Sequence, residues 1–434
     1  MKKFTLIALA VALLSISALA QNRNELWQQD FEKVWRTVKE KHYDPTLGGV
    51  DWDKVRAKYE PRLKSIKTDR ELYEMLQQML GELGQSHFAI IPRDAIVDAS
   101  ASEASNSGTG IDLRMVDGQA VITRISPDSP AARAGLRTGF AIEQIGDTRV
   151  EDVVKRFDNR TKSKANDRLM MIRALLARID GSAGTTVRLA YIDEKDRTQE
   201  ITITRERLKG EMSPPFGNFP AQYTEFEARR LQGGIGYIRF NIFVTMLTPR
   251  IVEALRNMHD AQGIIFDLRG NPGGFGVMSQ GIAGRIETRQ ISLGRMTMRS
   301  GYTNFAVYPQ PNPFTGKVVV LIDGGSASTS EIFAAGLQEI GRAVVVGERS
   351  AGAALPSIFD KLPSGALFQY AIADFKTPKG NVVEGHGVTP DVEVKLSRAG
   401  LLGGRDSQLE AAIEQINKQS GSEKKASSEA RSDK

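Results

Sequence analysis

The segment Asp323-Gly324-Gly325-Ser326-Ala327-Ser328-Thr329-Ser330-Glu331 places three serines in a turn of small residues. An apolar run, Val318 to Ile322, leads into it, and a helical pattern over Ser330–Ile340 leads out. A buried strand therefore enters a tight turn and a helix follows. A serine in such a turn sits at a helix N-terminus, where unpaired amides can stabilise a developing oxyanion. Serines also cap helices, and Ser330 with Glu331 in the first turn suits that role. The residues alone leave open which serine could be a nucleophile.

A second segment, Phe266-Asp267-Leu268-Arg269-Gly270-Asn271-Pro272-Gly273-Gly274-Phe275-Gly276, ends another strand in a glycine-rich loop. Glycines let backbone N–H groups approach a ligand closely. No Gly-Lys-Ser/Thr follows, so phosphate binding is poorly supported. An oxyanion site partnering a serine fits better, and a plain tight turn stays open. A serine hydroxyl needs a base, and the chain offers four histidines: His42, His87, His259 and His386. None forms a His-x-x-x-His pair, so no metal site is expected. With no cysteine there is no disulfide, thiol nucleophile or lipid-attachable thiol.

The elements around these segments read as several units. Trp27, Phe31, Val34, Trp35 and Val38 fall on one face of a helix. A second helix starts near Asp51-Trp52. A third opens on Thr68-Asp69-Arg70-Glu71, a capping-box pattern. The helical region spans 21–92 and a small-residue linker 93–107. From 108 to 208 the pattern turns to short strands, with Ser129-Pro130-Ala131-Ala132-Arg133-Ala134-Gly135-Leu136 as a turn and helix. From 209 to 416, strands at Ile235–Phe240, Ile264–Phe266, Val318–Ile322 and Val344–Val346 alternate with helices near Thr248–His259, Ser330–Ile340 and Gln408–Ile416. That alternation predicts an α/β layer architecture.

The 434 residues are 41% hydrophobic and 25% charged, ordinary globular composition. Residues 1–20 carry Lys2, Lys3, an apolar run and Ala18-Leu19-Ala20, a pattern predicting a cleaved signal peptide. The protein is therefore expected to be exported, periplasmic or secreted. No later stretch is apolar enough to span a membrane. The tail 417–434 lacks an apolar pattern and is expected to be disordered. The net charge of +6 lies largely in leader and tail, which argues against nucleic-acid binding.

The order of these segments, with Val383-Glu384-Gly385-His386-Gly387-Val388 near the end, resembles the carboxyl-terminal-processing (tail-specific) peptidases and their tricorn-like relatives. The resemblance implies an α+β multidomain protein: an N-terminal helical region, a PDZ domain and a crotonase-like α/β spiral core. It places the nucleophile at Ser328, with an oxyanion hole from the amides of Gly274, or its neighbour Gly273, and Thr329. Many such peptidases use a Ser/Lys dyad, but here Ala353 takes the lysine position and Ser357 the following glutamine position. Alanine accepts no proton. Ser86-His87 instead resembles the Ser-His pair of the tricorn-like branch, which works as a Ser-His-Ser-Glu tetrad. That assigns His87 as base, with Glu384 and Ser86 as its orienting partners. His386 is the rival base, and Lys376 and Lys379 read as solvated loop charges.

Gly108-Thr109-Gly110-Ile111 resembles the PDZ loop whose amides receive a peptide's terminal carboxylate. The usual aspartate after Ala134-Gly135-Leu136 is replaced by Phe140. The expected function is cofactor-free endopeptidase activity on protein or peptide substrates, some recognised through their C-termini. The alternatives are an inactive peptide-binding protein and acyl-thioester chemistry on the same core; the leader and the PDZ stretch argue against the latter.

Overall fold

The computed structural model describes residues 23–93, 107–158 and 164–418. The expected leader, most of the expected linker and the tail beyond residue 418 lie outside them.

Six strands build the central sheet in chain order: β1 (Phe226–Leu231), β2 (Ile235–Phe240), β3 (Gly263–Asp267), β4 (Lys317–Ile322), β5 (Val344–Gly347) and β6 (Val392–Glu393). β1 and β2 pair antiparallel, and every later neighbour pairs in parallel. Parallel pairing requires crossovers, supplied by the helices Thr248–Asn257 and Thr329–Glu339 among others. Strands covered on both faces must be apolar on both. Accordingly Ile264, Phe266, Val318 and Val320 pack under the crossover helices. Ile265, Val319 and Leu321 face the other way, towards Ala412 and Ile416 of the C-terminal helix over 407–418. That helix runs two residues past the expected start of the tail. β3 and β4 lie side by side, so the glycine-rich loop and the serine turn leave adjacent strand ends. This is where open α/β sheets bind ligands.

The N-terminal helices cover 23–41, Trp52–Tyr59 and Asp69–Gly81. Trp27, Phe31, Val34 and Val38 of the first pack on Leu72, Leu76 and Met79 of the third. Each fully buried side chain of this size contributes about 1.5–3 kcal/mol. At the third helix Thr68 caps Glu71, but the Glu71 carboxylate returns to the amide of Lys67 at 2.8 Å rather than to Thr68. The expected helical region does not stay helical throughout. Ala89–Ile91 is a strand, pairing antiparallel with Leu367–Ala371, which in turn pairs with Ser357–Lys361. Leu355, Phe368 and Tyr370 complete the helical core from that side.

The middle unit has an antiparallel sheet with the strands Ile111–Val116, Gln119–Ile125, Ala141–Ile145, Thr186–Ile192 and Thr198–Thr204 in that order. Besides the short helix expected within 129–136, Val150–Asp158 and Lys164–Ile179 are helices that the strand pattern did not foresee. Leu175 and Ile179 seal the sheet with Leu113 and Leu189. Phe140 is buried in this core and stacks on Tyr191 with centroids 5.3 Å apart, so it serves packing. Ionic contacts tie the unit to the central sheet: Arg114 with Asp323, Arg239 with Asp112, and Arg124 with Glu225 at 2.6 Å. Asp323 also accepts the amides of Gly270 and Gly325, each at 2.8 Å, and so braces both loops that leave β3 and β4.

Candidate active site

Ser328 is the N-cap of the helix Thr329–Glu339 and has φ 55° and ψ −119°. A non-glycine residue in this region is strained and must be held there by its surroundings. The holding group is Glu331. Its buried carboxylate accepts Ser328 N (3.0 Å), Ser350 Oγ (2.5 Å), Gly352 N (2.7 Å) and Ala353 N (2.9 Å). Burial pushes its pKa up to about 7, while those four donors pull it down. The Ser328 amide also donates to Ala353 O at 2.8 Å. Ser330, expected as a possible cap, instead donates its hydroxyl to Asn271 O at 2.9 Å.

The glycine loop lies against this turn. A Cβ on Gly273, at φ 97°, would stand 2.6 Å from Ser328 Cβ, and one on Gly274 would stand 2.3 Å from Phe243 O. Thr329 Oγ1 donates to Gly274 O at 2.8 Å and locks the two loops together. Of the three amides expected to form the oxyanion hole, that of Gly273 is committed to Asn271 Oδ1 at 2.9 Å. Those of Gly274 and Thr329 have no acceptor among the described residues. The sequence carried no signal for the role of Asn271.

Ser86 and His87 arrive on the loop between the helix Asp69–Gly81 and the strand Ala89–Ile91. Ser86 Oγ donates to Glu384 Oε2 at 2.8 Å and lies 2.7 Å from His87 Nδ1. Because the hydroxyl proton goes to the carboxylate, the serine oxygen accepts from Nδ1–H. Nε2 is then the unprotonated ring nitrogen, as a general base requires. Glu384 also takes Ser86 N at 2.7 Å and Ala354 N at 2.9 Å. All its partners are donors, which favours the carboxylate although burial raises its pKa. His87 itself has φ 60°. Burial, with the nearby Arg173 cation adding to it, lowers its pKa to about 4.

Ser328, Thr329, Gly274, Ser86 and His87 open on one cleft of roughly 2760 Å³. Such a volume exceeds the usual small-ligand pocket of about 300–1,000 Å³ and suits an extended chain. The other histidines stand elsewhere. His386 and His259 are exposed and line no part of the cleft. His42 is buried, and its Nε2 lies 2.8 Å from Gln85 Oε1, which steadies the residue before Ser86. Lys376 lies in a strand paired with Arg295, and Lys379 is exposed. The position of the missing lysine, Ala353, is buried against Leu169, Ala327 and Ala351. Leu169 comes from the helix Lys164–Ile179, an element the sequence reading missed although its apolar residues have helical spacing. Among the described residues no group of three or more His, Asp or Glu side chains could hold a metal ion.

The loop Gly108–Ile111 is buried along its length. Gly108 pairs with Glu206, and the Thr109 amide donates to Asp180 Oδ1 at 3.2 Å. The Thr109 and Gly110 carbonyls accept from Ala131 and Ser126. In this conformation the protein's own carboxylate takes the Thr109 amide expected to serve a peptide terminus. Burial of that aspartate raises its pKa to about 6.

The strained Ser328 turn and the Glu384–Ser86–His87 hydrogen bonds thus open on the same cleft. Residues 234–394 match Peptidase family S41, and residues 23–81 match the tricorn protease C1 domain. The chain thus carries a peptidase family S41 domain and a tricorn C1 domain and is a serine-type peptidase similar to the carboxyl-terminal-processing and tricorn-like proteases. It is 27% identical over 394 residues to the carboxyl-terminal-processing protease of Picosynechococcus sp., covering 88% of this chain and 87% of that one. It is 28% identical over 395 residues to tricorn protease homolog 1 of Streptomyces coelicolor, covering 89% of this chain and 35% of the homolog. Among solved structures, the photosystem II D1 C-terminal processing protease aligns with TM-score 0.57 and 22% identity, over 85% of this chain and 93% of that one. Mature CPAF complexed with lactacystin aligns with TM-score 0.62 and 13% identity, over 91% of this chain and 97% of that one. At these identities the structural likeness is one of fold. No helix among the described residues is long and apolar enough to cross a membrane.

Proposed function

We propose that the protein is an exported serine endopeptidase that hydrolyses protein or peptide substrates without a cofactor. Its architecture would be a helical region, a PDZ-type unit and a crotonase-like spiral core. The observation that carries this reading is the chain Glu384–Ser86–His87, which leaves Nε2 as the free base in the cleft that holds Ser328. Ser328 Oγ attacks the scissile carbonyl carbon and its proton passes to His87 Nε2. The carbonyl oxygen becomes an oxyanion facing the amides of Gly274 and Thr329. When the tetrahedral intermediate collapses, the C–N bond breaks and the imidazolium returns its proton to the leaving amine. Water, deprotonated by the same nitrogen, then hydrolyses the acyl-enzyme.

Cleavage of an unfolded, casein-like protein by the wild type but by neither Ser328→Ala nor His87→Ala tests this reading. Cleavage by His87→Ala alone would move the base elsewhere. Wild type that leaves several such substrates intact would favour the inactive peptide-binding alternative. That alternative has weaker support in this conformation, because Asp180 occupies the Thr109 amide.

A further inference from the structure

His87 has φ 60°, a left-handed backbone that a non-glycine residue keeps only where its surroundings over-determine it. Glu384 holds Ser86 through both its amide and its hydroxyl. The residues on either side of the Ser86-His87 pair, Gln85 and Phe88, meet one side chain in common, that of His42. It is fully buried just past the end of the first helix and takes no part in the proton transfers. Its Nε2 donates to Gln85 Oε1 at 2.8 Å. Its ring lies against that of Phe88, with centroids 5.5 Å apart and planes 9° from parallel. His42 is itself firmly seated. Tyr43 stacks on the ring at 4.5 Å, and Arg299 donates to the carbonyls of His42 and Lys39. Nδ1 stands 3.0 Å from the amide nitrogen of Asp44 and 2.9 Å from its carbonyl oxygen, so this nitrogen finds a partner whether bare or protonated. In both states Nε2–H is left to Gln85.

We propose that His42 is a positioning residue for the base: it clamps the chain on both sides of Ser86-His87 and so keeps the imidazole in its bond to Ser86 Oγ. This deepens the peptidase reading above and rests on it. The base needs such a clamp because of where it sits. Ser86 and His87 lie between the helix Asp69–Gly81 and the strand Ala89–Ile91, whereas Ser328 and Glu384 belong to the core. One end of the proton path therefore rides on a different unit from the other. A displacement of about 1 Å at such a distance from the chemistry is enough to cost on the order of 100-fold in rate. Glu384 fixes Ser86, and Gln77 fixes the strand that follows, donating to Phe88 O and accepting Ile90 N, each at 3.1 Å. His42 spans the strained turn between these two anchors with one rigid ring. Arg299, from the turn after the core strand Ile291–Met298, ties the seat of that ring to the peptidase core. Through His42 the helical region is a working part of the site.

The test uses the full chain, a fluorogenic peptide, thermal melts and NMR of the histidine side chains. His42→Phe keeps a stacking ring and loses the donor; His42→Gln keeps a donor and loses the ring. Each is expected to lower kcat about 10-fold with KM unchanged, and His42→Ala, which loses both, about 100-fold. Gln85→Leu removes the acceptor. Added to His42→Phe it should cost little more than either change alone, since both break the same bond. In the wild type His87 Nδ1–H should exchange slowly with water, and His42→Ala should speed that exchange. Leu72→Ala, buried in the same helical core and not lining the cleft, is the control for lost stability. It should leave kcat and the His87 signal unchanged at temperatures where it is folded. Should His42→Ala fail to fold, the Phe and Gln variants carry the same comparison. A loss of kcat in Leu72→Ala equal to that in the His42 variants would make His42 an ordinary core residue and overturn the clamp. Wild-type kcat and exchange in the His42 variants would overturn it too, while leaving the peptidase reading intact. If the wild type cleaves neither the peptide nor an unfolded protein, the peptidase reading fails and the His87 signal decides alone. Faster exchange confined to the His42 and Gln85 variants then supports the clamp, and unchanged exchange overturns it.

Discussion

Ser86 donates its hydroxyl to the carboxylate of Glu384 at 2.8 Å, across 298 positions of chain. That one bond fixes the direction of the proton chain and hence the tautomer of His87. Glu384→Gln keeps the size but presents an amide to the donors Ser86 N and Ala354 N. We expect kcat to fall about 100- to 10,000-fold with little change in KM. Ser86→Ala should cost less, roughly 10- to 100-fold, since it loosens the ring without burying a mismatched group. Steady-state kinetics on a peptide substrate checks both. Wild-type kcat in Glu384→Gln would exclude an orienting role.

The pH profile should report the environment of His87. Its pKa is lowered to about 4, so the neutral, proton-accepting form prevails above that value. For a substrate without carboxylates, kcat/KM should fall in two steps as pH drops: near 7, where Glu331 takes up a proton and loosens its hold on Ser328, and again through the lowered value of His87. Absence of the lower step would show that burial does not act on the ring.

Gly273 tests the fit of the two loops. A methyl there, at φ 97°, would meet Ser328 Cβ at 2.6 Å. Gly273→Ala should push the nucleophile away from the amides of Gly274 and Thr329 and cost about 100-fold or more in kcat. Gly341→Ala, also at positive φ but with nothing within 4 Å, is the control. It should lower stability by about 1 kcal/mol without a comparable loss of kcat. Thermal melts beside kinetics separate the two.

Leu169 and Leu175 lie on the same helix and are both buried, but in different clusters. Each replaced by alanine should lose about 2–5 kcal/mol of stability. Only Leu169→Ala removes packing from Ala327 and Ala353 beside the nucleophile. It should therefore lower kcat by roughly 10-fold at temperatures where both variants remain folded. Equal effects on kcat would show that the helix does not brace the turn.

Much of the central sheet was legible because its signals are local. Ile235–Phe240 and Val318–Ile322 are apolar runs bounded by glycine or turn residues, and they are strands over those residues. The serine turn followed from the second of these. The hydrogen-bonded set of Ser86, His87 and Glu384 was legible only through the family resemblance, because a pairing such as Ser86 with Glu384 has no period. The helix Lys164–Ile179 was lost between two strand patterns, although Leu169, Ile172, Leu175 and Ile179 repeat at helical spacing. With it went Arg173, a cation lining the cleft that holds His87. Nor could any pattern reveal that Asp180 would take the Thr109 amide or Asn271 the Gly273 amide. Those bonds depend on where a short polar side chain falls after the chain has closed.

The pairing of Ala89–Ile91 with Leu367–Ala371 bears on the order in which the protein becomes active during its synthesis. His87 enters the growing chain near the beginning, Ser328 much later, and Glu384 later still. The strand that anchors the segment after His87 is made only after the helix behind Ser328. A nascent chain can thus complete its N-terminal helices while possessing no working site. On the proposed mechanism the set of residues is complete only once the last fifth of the sequence has been made.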